Sequence, residues 1–96
     1  MRKVFSGKIA CPGLASGRIV LSPSEPGVLV LGKAYSNLVL NPRVTKGIIL
    51  TQGGLLSHPA VLAREFRIPC IFCPDFDLKE GKVELDAVKG EIRIME

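Results

Sequence analysis

The sequence predicts a small α/β domain of mixed strands, with one main helix that starts at a Ser57-His58 turn. Three observations predict it. The chain has 96 residues, enough for one domain with a modest core and too few for a deep cavity under its own lid. Short β-branched runs recur between Gly and Pro residues. A single segment, Ser57 to Pro69, carries clear start and stop signals of a helix.

The runs are Gly17 to Leu21, Val28 to Leu31, Gly47 to Thr51, Cys70 to Cys73, Lys82 to Leu85 and Glu91 to Met95. Each has the length and composition of a strand. Gly47-Ile48-Ile49-Leu50 lacks polar alternation and reads as a central strand buried on both faces. The last two runs alternate and read as strands with one wet face. Asp86 at the entry and Gly90 at the exit of the turn between them suit a hairpin. In the helix, Ser57 is the N-cap and Pro59 sits in the first turn, where its missing N–H costs nothing. Val61, Leu62 and Phe66 fall within an arc of about 140° and are expected to form the buried face. Arg64 and Arg67 point away, whereas Glu65 falls inside the arc without explanation. Pro69 stops the helix. A second, shorter helix is expected over Ala34 to Leu40, stopped by Asn41-Pro42.

Composition narrows the function classes. Hydrophobic residues make up 47% and charged residues 23%, which is ordinary for a globular chain and unlike a disordered one. No apolar run is long enough to span a membrane, and the first residues lack the apolar stretch of a signal peptide. Three cysteines, an odd number, fit a reducing compartment, so the expected location is cytoplasmic. The net charge of +4 comes from scattered residues, with no Trp and one Tyr, so nucleic acid is not an expected partner.

The chemistry is expected at Thr51-Gln52-Gly53-Gly54-Leu55-Leu56-Ser57-His58. A buried strand ends at Thr51, and two glycines able to take positive φ follow. A helix then begins with the only histidine in its first turn. The first N–H groups of a helix have no internal partner and carry the positive end of its dipole, worth about 0.3–1 kcal/mol to a nearby anion. A phosphoryl group is therefore matched there by backbone donors, and the same field disfavours imidazolium and keeps the ring nucleophilic. His58 is the candidate catalytic residue. Thr51, Gly53, Gly54 and Ser57 are candidate phosphate contacts, and Arg64 is a possible supporting residue whose plainer role is an exposed salt bridge. The plain alternative for His58 is a capping or surface histidine that does no chemistry.

Gly53 through Glu65, ending in Ile68-Pro69, resembles the phosphohistidine signature of the swivelling, mobile domain of phosphoenolpyruvate-utilising enzymes. Gly7-Lys8-Ile9-Ala10-Cys11-Pro12-Gly13-Leu14-Ala15-Ser16-Gly17 resembles the opening segment of that family, with Cys11 where serine is common. Leu78 to Val83, Leu85 to Ala87 and Gly90 to Ile92 resemble its closing hairpin. Three blocks in the right order span nearly the whole chain, so residues 1–96 are read as a single domain of this type. The resemblance implies a compact swivelling β/β/α fold in which His58 carries a phosphoryl group on a ring nitrogen. It also implies separate partners, one binding nucleotide and one binding phosphoenolpyruvate or pyruvate. ATP, Mg²⁺ or phosphoenolpyruvate would sit on those partners, with no cofactor or metal held by this domain. Four departures stand out: Leu56 in place of a small hydroxyl residue, Pro59 in place of a small residue, one residue fewer between Thr51 and Gly53, and Cys73 in place of glycine.

Two other readings come from different classes. One is a non-catalytic module that uses the same pocket to bind an anion or a partner loop. The other is a metal or redox protein built on Cys70-x-x-Cys73, with Cys11 and His58. Residues three apart on a strand face opposite sides, so that pair would need a turn to converge. Asp75 and Asp77 lie past a strand end and are read as solvated turn residues or a helix cap, with Mg²⁺ ligands as the alternative.

Overall fold

A computed structural model describes residues 3–32 and 38–95. It contains strands β1 (Val4–Ser6), β2 (Lys8–Cys11), β3 (Leu14–Val20), β4 (Gly27–Leu31) and β5 (Thr45–Leu50), helix α1 (His58–Phe66), and strands β6 (Cys70–Phe72), β7 (Lys82–Asp86) and β8 (Glu91–Met95). The strands form one mixed sheet in the order β1-β8-β7-β3-β4-β5-β6-β2. The domain is therefore mixed α/β as expected, but it is mostly sheet. All six expected strands are present. Gly17 to Leu21 is the second part of a longer β3, and β1 and β2 come in addition. No helix among the described residues is long and apolar enough to cross a membrane. Of the second helix expected at Ala34 to Leu40, residues 34–37 lie outside the described residues. Leu38 to Leu40 are irregular, with Leu38 and Leu40 buried.

Two segments turn the single sheet into two layers. β3 pairs with β7 through Leu14–Arg18, then with β4 through Ile19 and Val20. β1 pairs with β8 and β2 with β6, yet only Gly7 separates them, so the two ends of the strand order are joined covalently. A side chain at Gly7 would meet the Phe72 carbonyl oxygen at 2.5 Å, so the corner needs glycine. Between the layers lies one core, with Val28, Ile49, Ile71, Val83, Leu85 and Ile92. On the other face of β4-β5-β6-β2 lies a second core, where Leu29, Leu31, Ile48, Leu50 and Cys70 meet Ala60 and Ala63 of α1. The order of layers is strand, strand, helix. β5 is buried on both faces because each layer covers one of them, as its unbroken apolar run predicts.

The helix buries a different face from the one expected. Pro59, Ala60 and Ala63 are buried and Leu62 packs against the same core, while Val61 and Phe66 are 39% and 42% exposed. Small side chains let α1 lie close against β2 and β5. On this face Glu65 falls outside and is exposed, so its charge needs no explanation. The helix ends at Phe66 rather than at Pro69. Arg67 takes the left-handed conformation (φ 56°), and the N–H groups of Arg67 and Ile68 both donate to the Ala63 carbonyl.

The β7–β8 hairpin closes as its sequence predicts. Asp86 Oδ1 accepts the N–H groups of Val88 and Lys89 at 3.1 and 3.0 Å, and Gly90 takes φ 78°. The Lys89 N–H above all, with Val88 and Arg93 adding to it, holds the Asp86 carboxyl below its usual range against the opposing effect of burial. Arg93 on β8 bridges Glu84 at 2.7 Å and Glu91 at 2.8 Å on the outer face.

Candidate functional site

The candidate site lies where β5 leaves the sheet. Thr51 fixes the departure: its N–H and its hydroxyl both donate to the Leu31 carbonyl, at 3.0 and 3.2 Å. Gly53 and Gly54 follow with φ of 91° and 73°, a region costly for any side chain. Nothing lies within 4 Å of where a Cβ on Gly54 would be, so conformation rather than space demands glycine there. The same openness leaves room beside the turn.

Ser57 takes the backbone conformation of an N-cap (φ −70°, ψ 160°), and its carbonyl accepts the Val61 N–H at 3.0 Å. Its hydroxyl does not cap the helix, contrary to expectation. It donates back to the Gly54 carbonyl at 2.9 Å and so braces the turn. His58 is the first helical residue and is exposed. Pro59 has no N–H to offer, which removes one donor from the helix start. Among the described residues, the N–H groups of Gln52 to Leu56, His58 and Ala60 donate to no backbone or side-chain acceptor. Leu56, in the middle of this run, is 89% exposed. The site is thus an open turn of unused amides, edged by one imidazole and one leucine. It has the chemistry to take an anion beside a nucleophile.

The other sequence candidates lie elsewhere. Arg64 is in the last turn of α1, six residues on from His58. Its Nη1 donates to the Ala10 carbonyl at 3.2 Å, and among the described residues it makes no salt bridge, contrary to its expected role. Cys70 faces the helix-side core and Cys73 the core between the strand layers, on opposite sides as strand geometry requires. Among the described residues no three His, Cys, Asp or Glu side chains come together as metal ligands, and Asp75 and Asp77 are exposed. The sequence reading missed β2 and what it brings. Cys11 stands opposite Cys70 in the β2–β6 register, both thiols free and in the helix-side core. Burial, and then the neighbouring Cys11, push the Cys70 thiol up to about 12, with Arg64 opposing. Burial also raises the thiols of Cys11 and Cys73. Burial thus disfavours the thiolate form of all three.

Residues 23–90 match the family model described as PEP-utilising enzyme, mobile domain. The pyruvate, phosphate dikinase of Rhizobium meliloti (strain 1021) is 35% identical over 77 residues, covering 71% of this chain and 9% of that protein. The same enzyme of Rickettsia prowazekii (strain Madrid E) is 28% identical over 102 residues, covering 98% and 12%. A probable phosphoenolpyruvate synthase of Methanothermobacter thermautotrophicus is 33% identical over 76 residues, covering 71% and 11%. The chain thus spans about a tenth of the length of these relatives. Two solved structures share its fold, each with a TM-score of 0.72. One is the solution NMR structure of a UPF0107 protein, 18% identical, covering 98% of this chain and 100% of that one. The other is the crystal structure of Thermococcus kodakaraensis aconitase X (holo-form), 19% identical, covering 98% and 99%.

Proposed function

We propose, since the chain belongs to the family of the mobile domain of PEP-utilising enzymes, that it carries a phosphoryl group on His58 between partner proteins of phosphoenolpyruvate, pyruvate and nucleotide metabolism. One observation supports this above the rest. The imidazole is exposed at the head of α1, beside a glycine turn whose amides have no acceptor among the described residues. In the transfer, the lone pair of a ring nitrogen forms an N–P bond as the bond from phosphorus to the donor's leaving oxygen breaks. The electrons of that bond depart with the oxygen. The amides of Gly53, Gly54, His58 and Ala60 stabilise the oxyanions as they develop. The hydroxyls of Thr51 and Ser57 rotate from the Leu31 and Gly54 carbonyls to add two donors. A second partner reverses the step and takes the group away.

The donor and acceptor sites belong to separate nucleotide-binding and phosphoenolpyruvate- or pyruvate-binding proteins or subunits. Those partners hold ATP or phosphoenolpyruvate with Mg²⁺, and the exchange takes place in the cytoplasm. A second reading is a non-catalytic module that binds an anion or a partner. It draws on Leu56, whose 89% exposure puts an apolar side chain where a partner would meet it.

Phosphorus NMR separates the two readings. Protein incubated with phosphoenolpyruvate, or with ATP and cell extract, shows an acid-labile phosphoramidate resonance if it is a carrier, and His58→Ala loses the signal completely. Wild-type protein that acquires no label under either condition overturns the carrier reading in favour of the binding module.

A further inference from the structure

The geometry points to Lys8 as the cation that meets the phosphoryl group on His58, an inference that rests on the carrier reading. Lys8 opens β2, directly after the Gly7 corner. It stands in one transverse row of the sheet: Leu31 pairs with Leu50, Leu50 with Phe72, and Phe72 with Lys8. Residues paired across strands share a face. Leu31 and Leu50 lie in the helix-side core and Phe72 packs against it, so Lys8 is on the helix face. Its neighbour Ile9 lies on the other face, next to Gly90. This row is the last of β5 before Thr51, so it marks the end of the sheet where the chain turns towards His58.

The height of α1 above β2 agrees. Arg64 ties the helix to Ala10. Six residues back from Arg64 to His58 rise about 9 Å, and two residues back from Ala10 to Lys8 rise about 6.6 Å. α1 and β2 both run against β5, so the two climbs lead to the same end. The two climbs are of similar length, which puts Lys8 and His58 towards the same end of the domain.

Charge gives the reason for a cation there. From Thr51 to Ala63 the chain holds no Lys, Arg, Asp or Glu, and Pro59 subtracts an amide donor. A phosphoryl group on His58 therefore draws its countercharge from another element. Lys8 is exposed and, among the described residues, makes no salt bridge. Gly7 fixes its backbone, since the Gly7 N–H donates to the Gly90 carbonyl at 2.9 Å.

The test uses phosphoramidate as donor, which needs no partner protein: a ring nitrogen forms the N–P bond while the P–N bond of the donor breaks and ammonia leaves with its electrons. Labelling is followed by phosphorus NMR, with His58→Ala as the site control and thermal melts to establish that each variant is folded. Lys8→Gln is expected to label about three- to ten-fold more slowly. Salt raised to about 1 M slows the wild type towards the variant and hardly affects the variant. Lys8→Arg keeps both the rate and the salt response. Lys46→Gln, which removes the same charge at the start of β5, leaves them unchanged. A Lys8→Gln protein that matches wild type in rate and salt response overturns the role of Lys8 and leaves the carrier reading standing. A wild type with no label on His58 overturns both.

Discussion

Two turns of this molecule use similar residues to opposite ends. In the β7–β8 hairpin, the N–H groups of Ala87, Val88, Lys89 and Gly90 all have acceptors: the Gly13 carbonyl, Asp86 Oδ1 twice, and the Asp86 carbonyl. In the β5–α1 turn the Ser57 hydroxyl braces the chain through the Gly54 carbonyl, and the amides around it are left without acceptors among the described residues. Both turns need glycines at positive φ. At Gly90 a Cβ would lie 2.8 Å from the Gly7 carbonyl oxygen, whereas at Gly54 it would meet nothing within 4 Å. A turn whose amides are all taken up within the fold is structural. A turn whose donors point into open space has its bonding capacity left for something outside the chain.

Substitutions can break that contrast. Gly90→Ala combines a disfavoured conformation with a backbone collision and is expected to cost about 3 kcal/mol. Much of the stability of so small a domain would go with it. Urea denaturation measures this, and a cost below that of Gly54→Ala contradicts the assignment of the hairpin as the structural turn. Gly54→Ala has only the conformational penalty, about 1 kcal/mol. Its labelling by phosphoramidate should fall further than that loss of stability explains, and an unchanged rate at 25 °C argues against the turn as an oxyanion site. The smallest effect is expected from Asp86→Asn, which keeps the oxygen acceptor and removes the charge. The folded-state pKa of Asp86 is lowered from 3.8, so its ionic contribution is fully present above that value and is lost as pH falls through the lower folded one. The stability difference between wild type and variant therefore shrinks below about pH 4. Denaturation curves at pH 6 and pH 2.5 that differ by the same amount would disprove this.

Much of the architecture was legible because it is local. The buried run of β5, the Asp86-to-Gly90 turn and the Gly53-Gly54 break each declare themselves within a few residues. β1 and β2 did not. They are three and four residues long, Gly7 interrupts their alternation, and their partners β8 and β6 lie far along the chain. The buried face of α1 was misread because hydrophobicity ranks Val61 and Phe66 above Ala60 and Ala63, while close packing against a sheet selects the smaller side chains. The position of Ser57 was legible but its hydrogen bond was not, since only the folded turn brings the Gly54 carbonyl within reach. Lys8 was hidden for the same reason as β2: its place on the helix face of the sheet exists only through the β2–β6 register.

β1 and β8 lie side by side, and the Ile94 N–H donates to the Lys3 carbonyl at 3.0 Å. Residues near the two termini of the described fold thus share a single point of departure. Fraying at either end would therefore unpair β1 from β8 and loosen both ends of the described fold at once.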